Sequence, residues 1–164
     1  MPATADLDAI LRAMDELERT RVLVGIPAEK DERQDSPVGN AAIAYWQNFG
    51  VPEINLPARE FMVLDAAMPD ITAGMENAGK AAANGNMALA EQTLNAVGMA
   101  GRDELIRVIS SNLPPPLAAS TIRNRRRRSK GSTYRRQAMT AADVVSLIDS
   151  GQLKASLSYV IRKT

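Results

Sequence analysis

Eight basic residues fall within the sixteen positions of one stretch, "TIRNRRRRSKGSTYRR" (121–136), with no acid among them. They are Arg123, Arg125, Arg126, Arg127, Arg128, Lys130, Arg135 and Arg136. The chain has twenty basic and nineteen acidic residues, so outside this stretch twelve basic residues face all nineteen acids. Net charge is +1 only because one short segment cancels an acidic remainder. Seven of the eight cations are Arg, whose planar fork suits phosphate or carboxylate better than a Lys ammonium does. Four consecutive Arg residues on a helix point around most of its circumference, so no single face can pair them all. The chemistry this predicts is contact with a polyanion, an acidic partner, or something negative inside a ring of sister subunits.

Covalent chemistry has little to work with. Cys and His are both absent, which removes the thiolate nucleophile, the usual metal ligands and the usual general base near neutral pH. The phosphate-loop, dinucleotide-fingerprint and nucleophile-elbow patterns do not occur. Adjacent acids at Asp15–Glu16 and Asp31–Glu32 lie on segments that read as solvent-facing. The expectation is no enzyme, no cofactor and no metal. The basic stretch has one interleaved aromatic, Tyr134, too few for a base-stacking platform, and it lacks the pattern of a groove-reading helix. Phosphate contact here would be electrostatic and independent of sequence.

The elements that must position this segment are legible from periodicity. Over "ADLDAILRAMDELERT", Leu7, Ile10, Leu11, Met14 and Leu17 form an apolar stripe, predicting a helix within 1–19 capped at Thr4 or Asp6 and packed on a sheet or a neighbouring subunit. "TRVLVGIP" reads as a strand over 20–27. "AEKDERQDSPVG" reads as a mobile loop. "NAAIAYWQNFG" predicts a short helix capped by Asn40 and ended by Gly50, with Ile43, Trp46 and Phe49 supplying local core. Pro52 and Pro57 keep the next stretch extended. Leu64, Met68, Ile71, Met75, Ala78 and Ala82 recur at helical steps, with a kink or restart at Pro69. After a break at Gly85, a long helix from about 87 to 110 aligns Leu94, Val97, Gly101, Leu105 and Ile109. Its Gly98 and Gly101 each cost about 1 kcal/mol against alanine, which close packing on a neighbour would explain. A patch at Val144, Val145 and Leu147 precedes a final strand over 156–163.

With 164 residues, 45% of them apolar, and no linker in view, one α+β domain over 1–164 is expected. It has a small antiparallel or mixed sheet from the two strands, two long helices across it, and a mobile basic segment at 121–136 outside the core. So short a sheet leaves edges that another subunit can complete. No apolar run approaches the roughly 20 residues needed to cross a bilayer, and no signal-peptide pattern is seen, so no membrane association is expected.

Two separated segments carry a family resemblance. Ala41, Ala44, Phe49, Gly50, Pro57, Ala58, Arg59 and Phe61, within "NAAIAYWQNFGVPEINLPAREFM", are the first. Pro116, Leu117 and Thr121, followed by Leu147, Asp149, Ser150, Gly151, Leu153, Ser156, Tyr159 and Val160, are the second. Together they resemble small neck and tail-completion proteins of long-tailed double-stranded DNA phages, with Glu60 and the density of the Arg cluster as departures. The resemblance implies a structural virion protein that completes the tail and joins it to the DNA-filled head, in a homo-oligomeric ring around the channel. Its implied partners are the tail terminator, a head-completion or adaptor ring and the tail tube, with non-specific contact to genomic DNA. It would reside in the virion, and in host cytoplasm during assembly. The alternative is a small nucleic-acid-binding accessory or regulatory protein acting through the Arg segment. Physically the motif residues read as fold maintenance. Gly50 supplies positive φ, Pro57 holds an extended chain, Phe61 plugs the core and Arg59 pairs with a carboxylate. Asp149 or Ser150 caps the next turn, and Gly151 relieves its backbone.

Overall fold

The computed structural model describes residues 7–128 and 144–164, with the backbone alone at 126–128. The fold is α+β: helices α1 (Leu7–Glu18), α2 (Asn40–Phe49), α3 (Met68–Ala83), α4 (Met87–Ile109), α5 (Ala119–Arg128) and α6 (Gln152–Ser156), with strands β1 (Thr20–Gly25) and β2 (Ser158–Lys163). By its internal contacts the chain gathers into two compact units. The first comprises Met1–Pro27, Leu64–Glu104 and Leu157–Thr164; the second comprises Ala28–Val63 and Leu105–Ser156. Each is assembled from separated segments, so no linker marks the division.

In the first unit, β1 and β2 form the expected ribbon, antiparallel, with Val22 opposite Ile161 and Val24 opposite Tyr159. Two strands alone are marginal in water; this ribbon is held by a helix. Gly98 meets the Tyr159 ring, and a Cβ built on it would lie 2.6 Å from Cγ of that ring. A Cβ at Gly101 would lie 2.9 Å from Val24 Cγ2. The two glycines therefore do let α4 approach the strands closely. Tyr159 also donates its hydroxyl to Asn95 Oδ1 at 3.2 Å. Beneath the ribbon, Ala13, Ala78, Ala81, Ala82, Ala90 and Leu94 form a buried cluster, with Leu17, Val22, Met87 and Ile161 against it.

This cluster keeps Leu17, Ala78, Ala82 and Leu94 of the expected stripes and leaves other members out. Helix α3 buries Ala78, Ala81 and Ala82, and its Gly74 meets Val97, while Met68 and Met75 are exposed. Small residues admit a close neighbour, and that contact wins over the longer thioether side chains. Pro69 stands in the first turn of α3, where its missing N–H costs nothing, so the helix starts there and is not kinked. Helix α1 packs on α3 through its Ala13 and Leu17 side, leaving Leu7, Leu11 and Met14 exposed. Its expected caps, Thr4 and Asp6, lie outside the described residues. At the chain's end Lys163 bonds the carboxylates of Glu16 and Glu91, and these hold its ammonium pKa above the ordinary lysine value.

In the second unit, α2 begins at Asn40, one residue earlier than expected, and Gly50 ends it as expected, at φ +76°. Its buried face is different from the expected one. Asn40, Ala44 and Asn48, at spacing four, are buried, whereas Tyr45, Trp46 and Phe49 are exposed and Ile43 is half-buried. The loop before it, expected to be mobile, is tied to the helix start. Asp31 accepts the Ala41 N–H through Oδ1 at 2.6 Å, placing an anion at the helix N-terminus. Asn40 does not cap the helix. Its amide nitrogen donates to the carbonyls of Lys30 and Glu32, and its oxygen accepts from Arg33 at 2.7 Å.

Gly98→Ala is expected to lower stability by about 1–3 kcal/mol, because the Tyr159 ring must move to admit a methyl group. Gly79→Ala on α3, where a Cβ meets nothing within 4 Å, is expected to be neutral or to stabilise by up to about 1 kcal/mol. Chemical denaturation of the two variants checks the pair.

Candidate partner interface and basic segment

The second unit is organised around polar side chains. Asn48 Oδ1 accepts the backbone N–H groups of Phe61 and Met62, both at 3.0 Å, and Arg59 N–H donates to the Gln47 carbonyl at 2.8 Å. These bonds dock the extended chain after Pro57 on the C-terminal end of α2, and Phe61 is fully buried as expected. Arg59 is buried too, but its expected carboxylate partner is replaced by a carbonyl. Its Nε and one terminal nitrogen both donate to the Pro115 oxygen, at 3.0 and 2.8 Å. Burial, and then the positive charge of Arg125, lower its pKa from the usual guanidinium value. A carbonyl can fill this role because guanidinium keeps its proton even when desolvated.

The basic stretch divides. Residues 121–128 belong to α5, so this half of the segment expected to be mobile is a helix. Arg123 is exposed. Arg125, expected at a partner or channel surface, is instead drawn inside the unit. It donates to the carbonyls of Val145 and Ile148 at 2.9 and 3.0 Å and of Ser146 at 3.0 Å, and its Nε lies 3.7 Å from Asp149 Oδ1. The physical reason lies in the 144–149 segment: it forms no helix or strand, the Ile148 N–H turn bond reaches only the Val145 carbonyl, and a guanidinium brings five donors to the carbonyls of the segment. Asn112 completes the fastening, its Oδ1 accepting from Ser146 N–H at 3.0 Å and from the Ser146 hydroxyl at 2.8 Å. Arg126, Arg127 and Arg128 continue α5. Lys130, Arg135 and Arg136 lie outside the described residues.

The second motif is also fixed in place by geometry. Asp149, expected as a cap, faces Arg125; Ser150 is exposed and its hydroxyl lies 3.3 Å from Gln152 Nε2. Gly151 adopts φ +83° with nothing near its Cβ position, so conformation alone demands glycine there. Leu153 and Ser156 are buried. Tyr159 belongs to the first unit, as the Gly98 contact shows. A cleft of about 160 Å³ is lined by Arg33, Gln47, Arg125, Asp149 and Ser150. Its cations already have partners: Arg33 grips Asp35 with two bonds, at 2.9 and 3.0 Å, and this hydrogen bonding holds Asp35 below its ordinary carboxylate pKa.

Part of the first motif also reaches the surface. Phe49, Gly50, Pro57 and Ala58 line an open cavity of about 420 Å³ together with Pro52 and Leu56. At Gly50 the chain folds back closely on itself: a Cβ there would lie 2.7 Å from the Ala58 nitrogen and 2.9 Å from the Leu56 oxygen. At the cavity rim Phe49 stacks at a tilt on Tyr45, ring centroids 4.8 Å apart. Tyr45, Trp46 and Phe49 are thus an exposed aromatic face, and the sequence reading missed it. The available signal was the pair Asn40 and Asn48 flanking Ala44 at spacing four, a buried polar stripe that turns the aromatics outward.

Comparison with protein-family models, with curated proteins and with solved structures finds no match for this chain.

Arg125→Gln is expected to destabilise the protein by about 3 kcal/mol, the scale of charged hydrogen bonds lost to buried carbonyls. Arg123→Gln is expected to stay within about 0.5 kcal/mol of the parent. Urea unfolding distinguishes them, and equal midpoints would refute the inward role of Arg125.

Proposed function

We propose that this is a structural protein of a phage neck or tail, without catalysis, which joins as a ring to adjoining virion components. The observation that supports this reading best is the exposed aromatic face of Tyr45, Trp46 and Phe49 beside the motif-lined cavity. Contiguous exposed aromatics are the residues that anchor protein partners, and here they coincide with the segment that resembles neck proteins. The α5 arginines supply the second element of the proposal. In a ring, Arg123 and Arg126–Arg128 of several copies come together, and their repulsion calls for an anion nearby. DNA in the channel or an acidic adjoining ring would provide it. No helix among the described residues is long and apolar enough to cross a membrane.

The test uses head–tail joining in extracts, scored as infectious particles. Trp46→Ala is expected to reduce joining at least about tenfold while the protein stays folded, as loss of a hot-spot aromatic does. Arg126→Gln, Arg127→Gln and Arg128→Gln combined, with Arg125 retained, are expected to reduce joining or DNA retention. Any DNA binding in vitro should be weak, blind to sequence and steeply salt-dependent. Normal particle yields from both variants would remove the neck reading. DNA binding that prefers one sequence would favour the alternative, a small nucleic-acid-binding regulator.

A further inference from the structure

In the first unit one tract of surface carries both halves of a complementary contact. On α1, Leu7, Leu11 and Met14 are 67%, 56% and 51% exposed. They recur at steps of four and three, and Glu18, four residues on, continues the same ridge at the helix end. On the ribbon, alternation turns Val22, Val24, Tyr159 and Ile161 inward, so Arg21, Leu23, Val160 and Arg162 face out. Arg21 stands directly opposite Arg162, and Leu23 opposite Val160. The ridge and the outer face adjoin, because the Arg21 guanidinium donates to the Glu18 carbonyl.

The charges on this tract are left over within the subunit. Glu18, Arg21 and Arg162 have no ion-pair partner among the described residues. Two like charges directly across a strand pair are destabilising unless an opposite charge intervenes. Leu23, next to them, is 47% exposed. Apolar ridge, unpaired acid, unpaired cations and apolar pair follow one another.

We propose that this tract is where a second copy of the same chain docks, the α1 ridge of one copy lying on the outer ribbon face of the other. Glu18 of one copy then meets the Arg21–Arg162 pair of its neighbour, and Leu7, Leu11 and Met14 cover Leu23 and Val160. A copy of the same chain fits because the surface supplies both an acid and the cations it would meet, and both apolar halves. The contact relieves the Arg21–Arg162 repulsion and removes an apolar ridge from water. It deepens the ring reading, on which it rests for the biological use of self-association, by naming where copies meet.

Sedimentation velocity of the full chain at about 100 µM tests it, a concentration that populates contacts of micromolar strength. The wild type is expected to self-associate. Glu18→Arg and Arg162→Glu are each expected to weaken association at least about tenfold, and the double variant E18R/R162E to restore most of it, the signature of a direct charge pair. Leu11→Asp is expected to abolish association without lowering the melting temperature, since Leu11 is exposed in the subunit. A monomeric wild type would overturn the proposal, as would single variants that associate like the parent or a double variant no better than the singles. Failure here is separable from failure of the neck reading. Unchanged oligomers in E18R remove this contact and leave joining to be judged by its own assay, whereas normal particle yields from the Trp46 and triple-Arg variants remove the neck reading and leave this contact standing.

Discussion

A ribbon of two six-residue strands does not stand in water by itself, and the first unit exists because α4 lets that ribbon lie against it. The constraint is one of missing side chains. Gly98 receives the Tyr159 ring and Gly101 receives Val24, and any larger residue would push the strands off the helix. Once that distance is set, the layer beneath has to be thin, which is why Ala13, Ala78, Ala81, Ala82 and Ala90 fill it. The helix penalty of two interior glycines is offset by packing at native density. The same contact brings the last strand back to the first, so residues near both ends of the chain share one sheet.

The second unit meets a different problem. Much of its chain is irregular, and backbone groups in irregular segments must find partners outside a helix or a ladder. Side chains provide them: Asn48 for the chain at 61–62, Asn40 for the loop at 30–32, Asn112 and Arg125 for 145–148, and Arg59 for the carbonyl of Pro115. Buried polar groups of this kind are costly when half satisfied, so each of these residues specifies one arrangement of its loop. The second unit is held by a few strong donors and acceptors as much as by its apolar core.

This has a consequence for function. A run of arginines resembles a single electrostatic device, yet one member of the run is a structural donor facing inward while its neighbour Arg123 faces solvent. Charge density alone therefore overstates what is offered to a partner. The aromatic face beside the Gly50 cavity exposes apolar area against the usual preference for burial. Two surfaces, one aromatic in the second unit and one mixed in the first, carry the features of docking sites.

What the sequence determined by itself is what depends on local periodicity and local chemistry. The bounds of α2 and α4 to within a residue, the two strands and their pairing, the α+β class, the stop at Gly50 and the close-packing role of Gly98 and Gly101 all follow from spacing and residue type. What only the tertiary structure decided is which side of an element faces in. On α1 and α3 the expected stripes place Leu17, Ala78 and Ala82 inward, as they are, but also Leu11, Met14, Met68 and Met75, which are exposed because a close neighbour admits only small side chains. On α2 the aromatics yield to Asn40 and Asn48, whose worth comes from backbone groups far along the chain. Arg125 shows the limit most clearly. Nothing within the run of arginines distinguishes it from Arg126; its role is set by carbonyls some twenty residues further on, and no local pattern encodes a partner at that distance.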